Sequence, residues 1–270
     1  MKTSASETNP VAEAKTRVEG RLSSVSSAIH LLKTFSEEEA EIGISSLAKR
    51  LGQAKSTVHR LATTLLAEGL LEQNPENGRY RLGIELFALG ALARRRLDVS
   101  NQAMPFLQLL REQTDETVHL AILDNTNIMY LYNLESTQAI RMRSYIGVRK
   151  PAFCTAEGHA ILAFSPAQVV SSVLHEGMVA RTPKTKTTSA DLLKALEQVR
   201  IDGYSIDDEE SEVGMRGIAA PIRDMTGSVV AAVGVGGPTQ RLTKKSLRSI
   251  ASLLVSSAES ISTRLGFRDR

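Results

Sequence analysis

Two short helical patterns separated by a few residues constrain this chain more than anything else in it. Ile44, Leu47, Ala48 and Leu51 stand at i, i+3, i+4 and i+7, the spacing that gathers apolar groups on one face of a helix. Ser45 is the expected N-cap of that helix and Gly52 its stop. After "GQAK" a second stripe runs through Val58, Leu61, Ala62 and Leu65, with Gly69 at its end. The stretch "LLEQNPENGRYRLG" follows and reads as a β-hairpin. Its Asn77-Gly78 pair is expected to supply the positive φ angles of a tight turn. Upstream, Val25, Ile29, Leu32 and Phe35 recur at helical spacing, and the run Glu37, Glu38, Glu39 reads as a solvated loop. Helix, turn, helix and hairpin in that order describe a winged helix-turn-helix.

The second helix of such a pair enters the DNA major groove by its N-terminal end. Here that end is "QAKSTVHR". Gln53, Ser56, Thr57, His59 and Arg60 offer side chains that reach bases or phosphates. Lys55 and Arg60 suit phosphate, which supplies affinity without sequence preference. Arg79 and Arg81 lie on the hairpin, where a wing follows the backbone. Residues 43–96 hold nine Lys and Arg against four Glu, a local balance of +5, whereas the whole chain carries +3. A basic patch on a helix-turn-helix is the footprint of a double-stranded DNA partner.

The rest of the chain has a different grammar. Residues 83–98, "GIELFALGALARRRLD", read as one more helix, with Ile84, Phe87, Ala88, Ala91 and Leu92 as its stripe. It is a candidate link between domains and a candidate pairing surface for a second copy, or else a helix packed on its own domain. Beyond Met104, "TVHLAIL" and "IMYLYN" flank the turn "DNTN" as paired strands. "TAEGHAILAF" reads as a helix, and "SADLLKALEQVR" as another, with Ser189 as N-cap and Gly203 as stop. "GIAAPIRD" and "VVAAVGVG" form a second hairpin, and a long helix closes the chain. Hairpin strands with helices between and after them indicate an α+β domain with an antiparallel sheet.

Several functional classes are set aside on simple grounds. A single cysteine, Cys154, excludes an intramolecular disulfide framework and a cysteine-based zinc cluster, and fits a reducing, cytoplasmic setting. No apolar run approaches the roughly 20 residues of a membrane span. The first 20 residues lack the apolar core of a signal peptide and read as a disordered tail. The acidic quartet Asp207, Asp208, Glu209 and Glu210 is open to metal binding, acid–base chemistry, ligand contact or plain solvation. Asp207, His119 and His159 lack the local spacing of a metal site, so no metal and no cofactor are expected. Cys154, with Arg149 and Lys150 close in sequence, is weighed as a redox sensor against the commoner buried small side chain.

The chain resembles the IclR family of transcriptional regulators. The resemblance runs from about Val25 to Gly266 and rests on five stretches in order. They are "ISSLAKRLGQAKSTVHRLATTLLAEGLL", "YRLGIELFALG", "GVRKPAFCTAEGHAILA", "GYSIDDEESEVGMRGIAAPIRDMTGSVVAAVGVGGP" and the terminal helix. It implies a regulator, not an enzyme, of a catabolic operon. Its parts would be a winged helix-turn-helix over residues 21–83, a linker helix over 84–103 and a GAF-like effector-binding domain over 104–270. It also implies homodimers, often paired as dimers of dimers, on promoter DNA, tuned by a small metabolite. The effector pocket would have Thr155, Ala156, Glu157 and Gly158 at its anion end, where backbone N–H groups act. Asp207 would point into the pocket, Met215 and Met142 would form apolar wall, and His119 would face the same cavity. Asp208, Glu209 and Glu210 match positions outside the ligand. This sequence has Gly217 where the family often has cysteine, and Gly234 and Gly236 where binders of very small keto-acids carry serine. Glu157 and His159 also depart from the usual pattern. Missing side chains suggest an enlarged cavity, and hence an aromatic or other organic acid larger than glyoxylate. Glu157 in turn admits a neutral or cationic ligand group at the anion end.

Overall fold

The computed structural model describes residues 24–36, 38–95 and 98–268, with the side chains of residues 93–98 excluded. The expected tail therefore lies outside the described residues, as does Glu37. The chain divides between Arg96 and Leu97 into two compact units.

In the first unit α1 covers residues 24–32, followed by α2 (Ile44–Leu51) and α3 (Lys55–Ala67). Strands β1 (Leu71–Gln73) and β2 (Tyr80–Leu82) form the hairpin, and α4 (Ile84–Arg95) ends the unit. Leu31, Ile42, Leu47, Val58, Ala62, Leu71 and Tyr80 make one buried core. Ile42 extends the hairpin by a two-way backbone pair with Tyr80, each N–H donating over 2.9 Å. The cap of α2 is Gly43, not Ser45, which lies inside the first turn. Gly52 stops the helix as expected, at φ +62°, a left-handed conformation open to glycine at little cost. In the hairpin only Gly78 takes positive φ. Gln73 pairs with Tyr80, so residues 74–79 form a longer loop than the expected two-residue turn. Asn74 and Asn77 shape that loop with their side chains, accepting from the N–H groups of Glu76 and Arg79. The expected apolar stripe of α1 is rotated. Leu31 and Ser27 are buried, while Val25 and Ile29 are exposed.

The second unit begins with α5 (Asp98–Thr114), which the sequence reading folded partly into a single linker helix. The stretch 84–103 is thus covered by two helices, α4 and the start of α5. A six-stranded antiparallel sheet follows, ordered β5-β4-β3-β8-β7-β6. Its strands are β3 (Thr117–Asp124), β4 (Asn127–Leu134), β5 (Arg149–Pro151), β6 (Ser205–Asp208), β7 (Met215–Arg223) and β8 (Val229–Pro238). Between β5 and β6 lie a 3₁₀ turn (Ala152–Cys154), α6 (Ala156–Leu162), α7 (Ala167–Glu176) and α8 (Ser189–Asp202). The cap of α8 is Thr188, one residue before the expected Ser189, and Gly203 stops the helix in the left-handed conformation. The last helix is α9 (Lys244–Arg264).

Strand side chains alternate between faces, which sorts the sheet into two cores. Val118, Leu120, Ile218, Ala220, Val233 and Val235 join α5 and α9 on one face. Ala121, Ala219 and Ala232 meet α6, α7 and α8 on the other. The second face is built from small residues, so α6 lies close to the strands. No described helix is long and apolar enough to cross a membrane.

Candidate functional site

The two units each present one candidate site, and the two are built in opposite ways. In the first, the start of α3 stands free of its own fold. Its N-cap residue is Ala54, whose side chain accepts nothing from the helix. The unpaired N–H groups of a helix start, and their partial positive charge, favour an anion such as phosphate. Lys55, Ser56, His59 and Arg60 are exposed around that start, and Thr57 is half-buried. Gln53 is used differently. Its Nε2 donates to Ser27 Oγ at 2.7 Å, which ties the turn to α1. On the hairpin, Arg79 has no side-chain partner among the described residues. Arg81 donates from Nε to Glu72 at 2.9 Å and also faces Glu41 at 3.9 Å. Asn77 and Asn74 hold the Glu41 carboxyl below its ordinary pKa by hydrogen bonding, helped by Arg81 and Arg79. Of the two wing arginines, Arg79 is therefore the one without a close ion pair among the described residues.

In the second unit the candidate residues sit on neighbouring rungs of the sheet, on the α6 face. His119 is opposite Gly234, and Gly217 is flanked by Asp207 and Gly236. Met215 precedes Gly217 by two residues, shares its face and is half-buried. Helix α6 lies across them, capped by Thr155, whose Oγ1 accepts from the Gly158 N–H at 3.3 Å. A Cβ on Gly158 would fall 2.0 Å from the Ala152 carbonyl oxygen, so this glycine permits the contact between the 3₁₀ turn and α6.

The glycines expected to enlarge a cavity do not leave empty space. A Cβ at Gly234 would lie 2.4 Å from Glu157 Oε1, and one at Gly236 would lie 2.5 Å from Met142 Sδ. Glu157 and Met142 thus fill the volume that side chains at those positions would take. Gly217 is less crowded, with Ala156 Cβ at 3.5 Å as its nearest neighbour. A sequence comparison counts atoms removed at one position; it does not see a long side chain from another element fold into the gap.

Glu157 and His119 form a buried pair. His119 Nδ1 is 3.3 Å from Glu157 Oε1, too poorly aligned for a good hydrogen bond. His119 Nε2 is 2.7 Å from Ser144 Oγ. Ser144 donates its one hydrogen to Asn133 Oδ1 at 2.9 Å, so Nε2 must donate to Ser144. A second proton on Nδ1 would then meet the Glu157 carboxylate. Burial pushes the Glu157 carboxyl up, but the His119 contact and charge outweigh it and leave its pKa lowered. Tyr130 packs on the His119 ring, centroids 4.7 Å apart. Ser144, Asn133 and Tyr130 were not singled out from sequence. Only the strand register, which sets Asn133 opposite His119, could have pointed to one of them.

The acidic quartet separates into four different environments. Asp207 is buried, and its carboxyl accepts from the N–H groups of Glu210 (2.6 Å) and Ser211 (3.3 Å) and from Ser211 Oγ (2.5 Å). Burial pushes its pKa up to about 6, against the pull of those hydrogen bonds. Asp208 pairs with Arg216 at 2.5 Å, Glu209 with Lys184 at 2.5 Å, and Glu210 with Lys186. The last two pairs hold the segment 182–186 against the loop, helped by Thr182 and Thr185 donating to the carbonyls of Glu209 and Glu210. Among the described residues no cluster of His, Cys, Asp and Glu could hold a metal ion. His159 is held by the Phe153 carbonyl at 2.6 Å. Cys154 is buried, which pushes its thiol up to about 12, the opposite of a reactive thiolate.

A cleft of about 630 Å³ opens beside this region, lined by Lys150, Phe153, Val173, Arg181, Ser211 and Glu212 among others. It shares Ser211 with the cap on Asp207, and Phe153 with the anchor of His159.

Comparison with known proteins finds two family domains along the chain. Residues 24–75 match the IclR helix-turn-helix domain, and residues 91–263 match the bacterial transcriptional regulator IclR C-terminal domain. The HTH-type transcriptional regulator KdgR of Escherichia coli (strain K12) is 37% identical over 250 residues, covering 92% of this chain and 94% of that protein. The HTH-type transcriptional regulator XynR of the same strain is 34% identical over 248 residues, covering 91% and 98%. The crystal structure of an IclR homolog from Microbacterium hydrocarbonoxydans, complexed with 4-hydroxybenzoate, superimposes with a TM-score of 0.80. It is 26% identical and covers 90% of this chain and 98% of that one.

Proposed function

Since this chain belongs to the IclR family of bacterial transcriptional regulators, we propose that it is a ligand-responsive regulator of a catabolic operon. Its first unit grips promoter DNA through the exposed start of α3. Lys55 and Arg60 anchor phosphates, Ser56, Thr57 and His59 reach base edges, and Arg79 follows the backbone from the hairpin. Gln53 supports the turn more than it reads DNA, because its amide is committed to Ser27. The functional parts are the winged helix-turn-helix over 21–83, the linker over 84–103 and a GAF-like effector domain over 104–270. The single observation that carries the DNA reading is an uncapped helix start ringed by exposed Lys55, Ser56, His59 and Arg60.

The protein works as a homodimer or a dimer of dimers. Support comes from apolar side chains that the first unit leaves in water. Val25, Ile29, Ile84, Phe87, Leu89 and Leu92 are all exposed, an unusual arrangement for two helices of a folded unit unless a partner covers them.

The effector site lies between α6 and the rungs of His119, Gly217, Gly234 and Gly236, beside the buried Asp207, and Glu157 and Met142 must swing aside to admit a ligand there. The effector is an organic acid larger than glyoxylate, an aromatic acid included. Space at Gly234 and Gly236 does not support that size, because Glu157 and Met142 fill it. The size is supported by the neighbouring cleft, whose volume suits a drug-sized or metabolite-sized ligand. The 4-hydroxybenzoate in the related structure is further support. A thermal-shift screen of organic acids on the full chain tests it, because a ligand of the folded state raises Tm by mass action. Hits should change promoter affinity measured at one fixed salt concentration. Stabilisation by glyoxylate or pyruvate and by no larger acid would sink the size reading. No specific DNA binding by the full chain would sink the regulator reading.

A further inference from the structure

We infer that the second unit carries another ligand site, an arginine-lined groove at the open edge of β7 that takes a flat organic anion. The groove arises from a mismatch in strand length. Strand β6 pairs with β7 only from Arg216 to Ala219, so β7 runs on past it as an edge through Arg223. Pro221 in that edge has no N–H, which discourages a further strand from adding there. Instead a groove of about 630 Å³ follows the edge, floored by Ala220, Pro221, Val255 and Ala258.

The charges around it are lopsided. Arg200, Arg223 and Arg268 line it, and Glu259 is the one acidic side chain in the lining. None of the three arginines has a carboxylate partner among the described residues. Arg50, Arg81, Arg141, Arg149, Arg216 and Arg241 each have one. Three guanidiniums against one carboxylate leave the groove with excess positive charge, and a bound anion offsets it.

Two of the arginines are also held ready. Arg223 donates from Nη1 to the Gly227 carbonyl at 3.0 Å and stacks 4.3 Å from the centre of the Phe164 ring. Phe267 lies on it as well, with 5.8 Å from guanidinium to ring centre. Arg200 donates from Nε to the Ala163 carbonyl at 2.5 Å, which leaves both of its Nη groups unbonded. A stacked or tethered guanidinium loses little freedom on binding, and its fork matches both carboxylate and phosphate. Phe164 and Phe267 supply aromatic surface for a flat ligand body. The groove shares no residue with the proposed effector site and is independent of that reading.

The test titrates the full chain with naphthalene-2-carboxylate, 2-naphthyl phosphate and neutral 2-naphthol, which share one flat body. At least one anion should bind tenfold or more tightly than the naphthol. The Arg200→Gln/Arg268→Gln double variant, altered at exposed positions, should lose that preference while keeping a wild-type melting profile, and Arg223→Gln should lose it too. Asp207→Asn, at the other site, should leave it unchanged. Preference for one anion over the other tells carboxylate from phosphate. The proposal is overturned if naphthol binds as well as the anions, if the arginine variants bind normally, or if Asp207→Asn abolishes binding. Binding of a poly-glutamate peptide with neither naphthyl anion bound would also overturn it, in favour of a protein contact.

Discussion

The start of α3 and the α6 face of the sheet are both candidate binding sites, yet they stand in opposite relation to the fold. Around α3 the functional side chains point into water and the core lies behind them, in Val58, Ala62 and Leu65. On the α6 face, His119, Glu157, Asp207 and the glycines are themselves core. The lesson concerns separability. A surface site can change without cost to the fold, whereas a buried site cannot change without repacking.

That contrast can be broken at its strongest point. Gly158→Ala should destabilise the second unit most, by about 3 kcal/mol, because its methyl meets backbone that cannot swing aside. Chemical denaturation of the full chain measures it; a change near zero would mean that the 3₁₀ turn and α6 are not locked together. Gly234→Ala should cost less, on the order of 1–2 kcal/mol, since the obstacle is the end of a side chain. Glu157→Ala in the same chain should recover part of that loss, and a double-mutant cycle without coupling would refute the filled-gap account.

Asp207 offers a pH test of the same region. Its folded pKa of about 6 lies above the ordinary carboxylate value, so the folded state holds the proton more tightly. Its contribution is therefore most favourable below the unfolded pKa and is lost as pH rises through about 6. Glu157 and His159, both with lowered pKa, work the other way and lose stability as pH falls. The useful quantity is thus a difference. Asp207→Asn should gain stability relative to the parent as pH rises from 4 to 7, by an amount on the order of 1–3 kcal/mol. A constant difference across that range would show that Asp207 does not titrate as a buried acid.

The surface site should behave in the contrary manner. Arg60→Ala and Lys55→Ala should each weaken DNA binding by about 1 kcal/mol and flatten its salt dependence by about one ion, with stability changed by less than about 0.5 kcal/mol. Smallest of all is the split within the wing. Arg79→Ala should weaken binding more than Arg81→Ala, because Glu72 and Glu41 already neutralise Arg81. Equal losses at several salt concentrations would show that those ion pairs open on DNA.

Several elements of the second unit announced themselves through alternation or helical spacing, but α5, β5, α7 and the strand β6 did not. α5 carries Pro105 and a stretch without a clear stripe, so its start merged with the preceding helix. β6 is four residues long and half acidic, and it is a strand because β7 beside it has an edge to pair. Small errors at Ser45, Ser189 and Asn77 have a common cause. Several adjacent polar residues could serve as cap or turn, and the backbone path chooses among them.

Local spacing by itself determined the helix-turn-helix with its hairpin, the antiparallel hairpins of the second unit and the residues ringing the start of α3. These depend on periodicity and on glycine's freedom at Gly52 and Gly203, which act within a few residues. Tertiary structure alone decided what the three glycines mean. Gly234 and Gly236 read as missing side chains until Glu157 and Met142 are seen in their place. The same holds for the acidic quartet, where four adjacent carboxylates became one buried acid held by loop N–H and hydroxyl groups and three ion pairs. Packing fills space from distant parts of the chain, so which atoms occupy a gap is settled only when the elements meet.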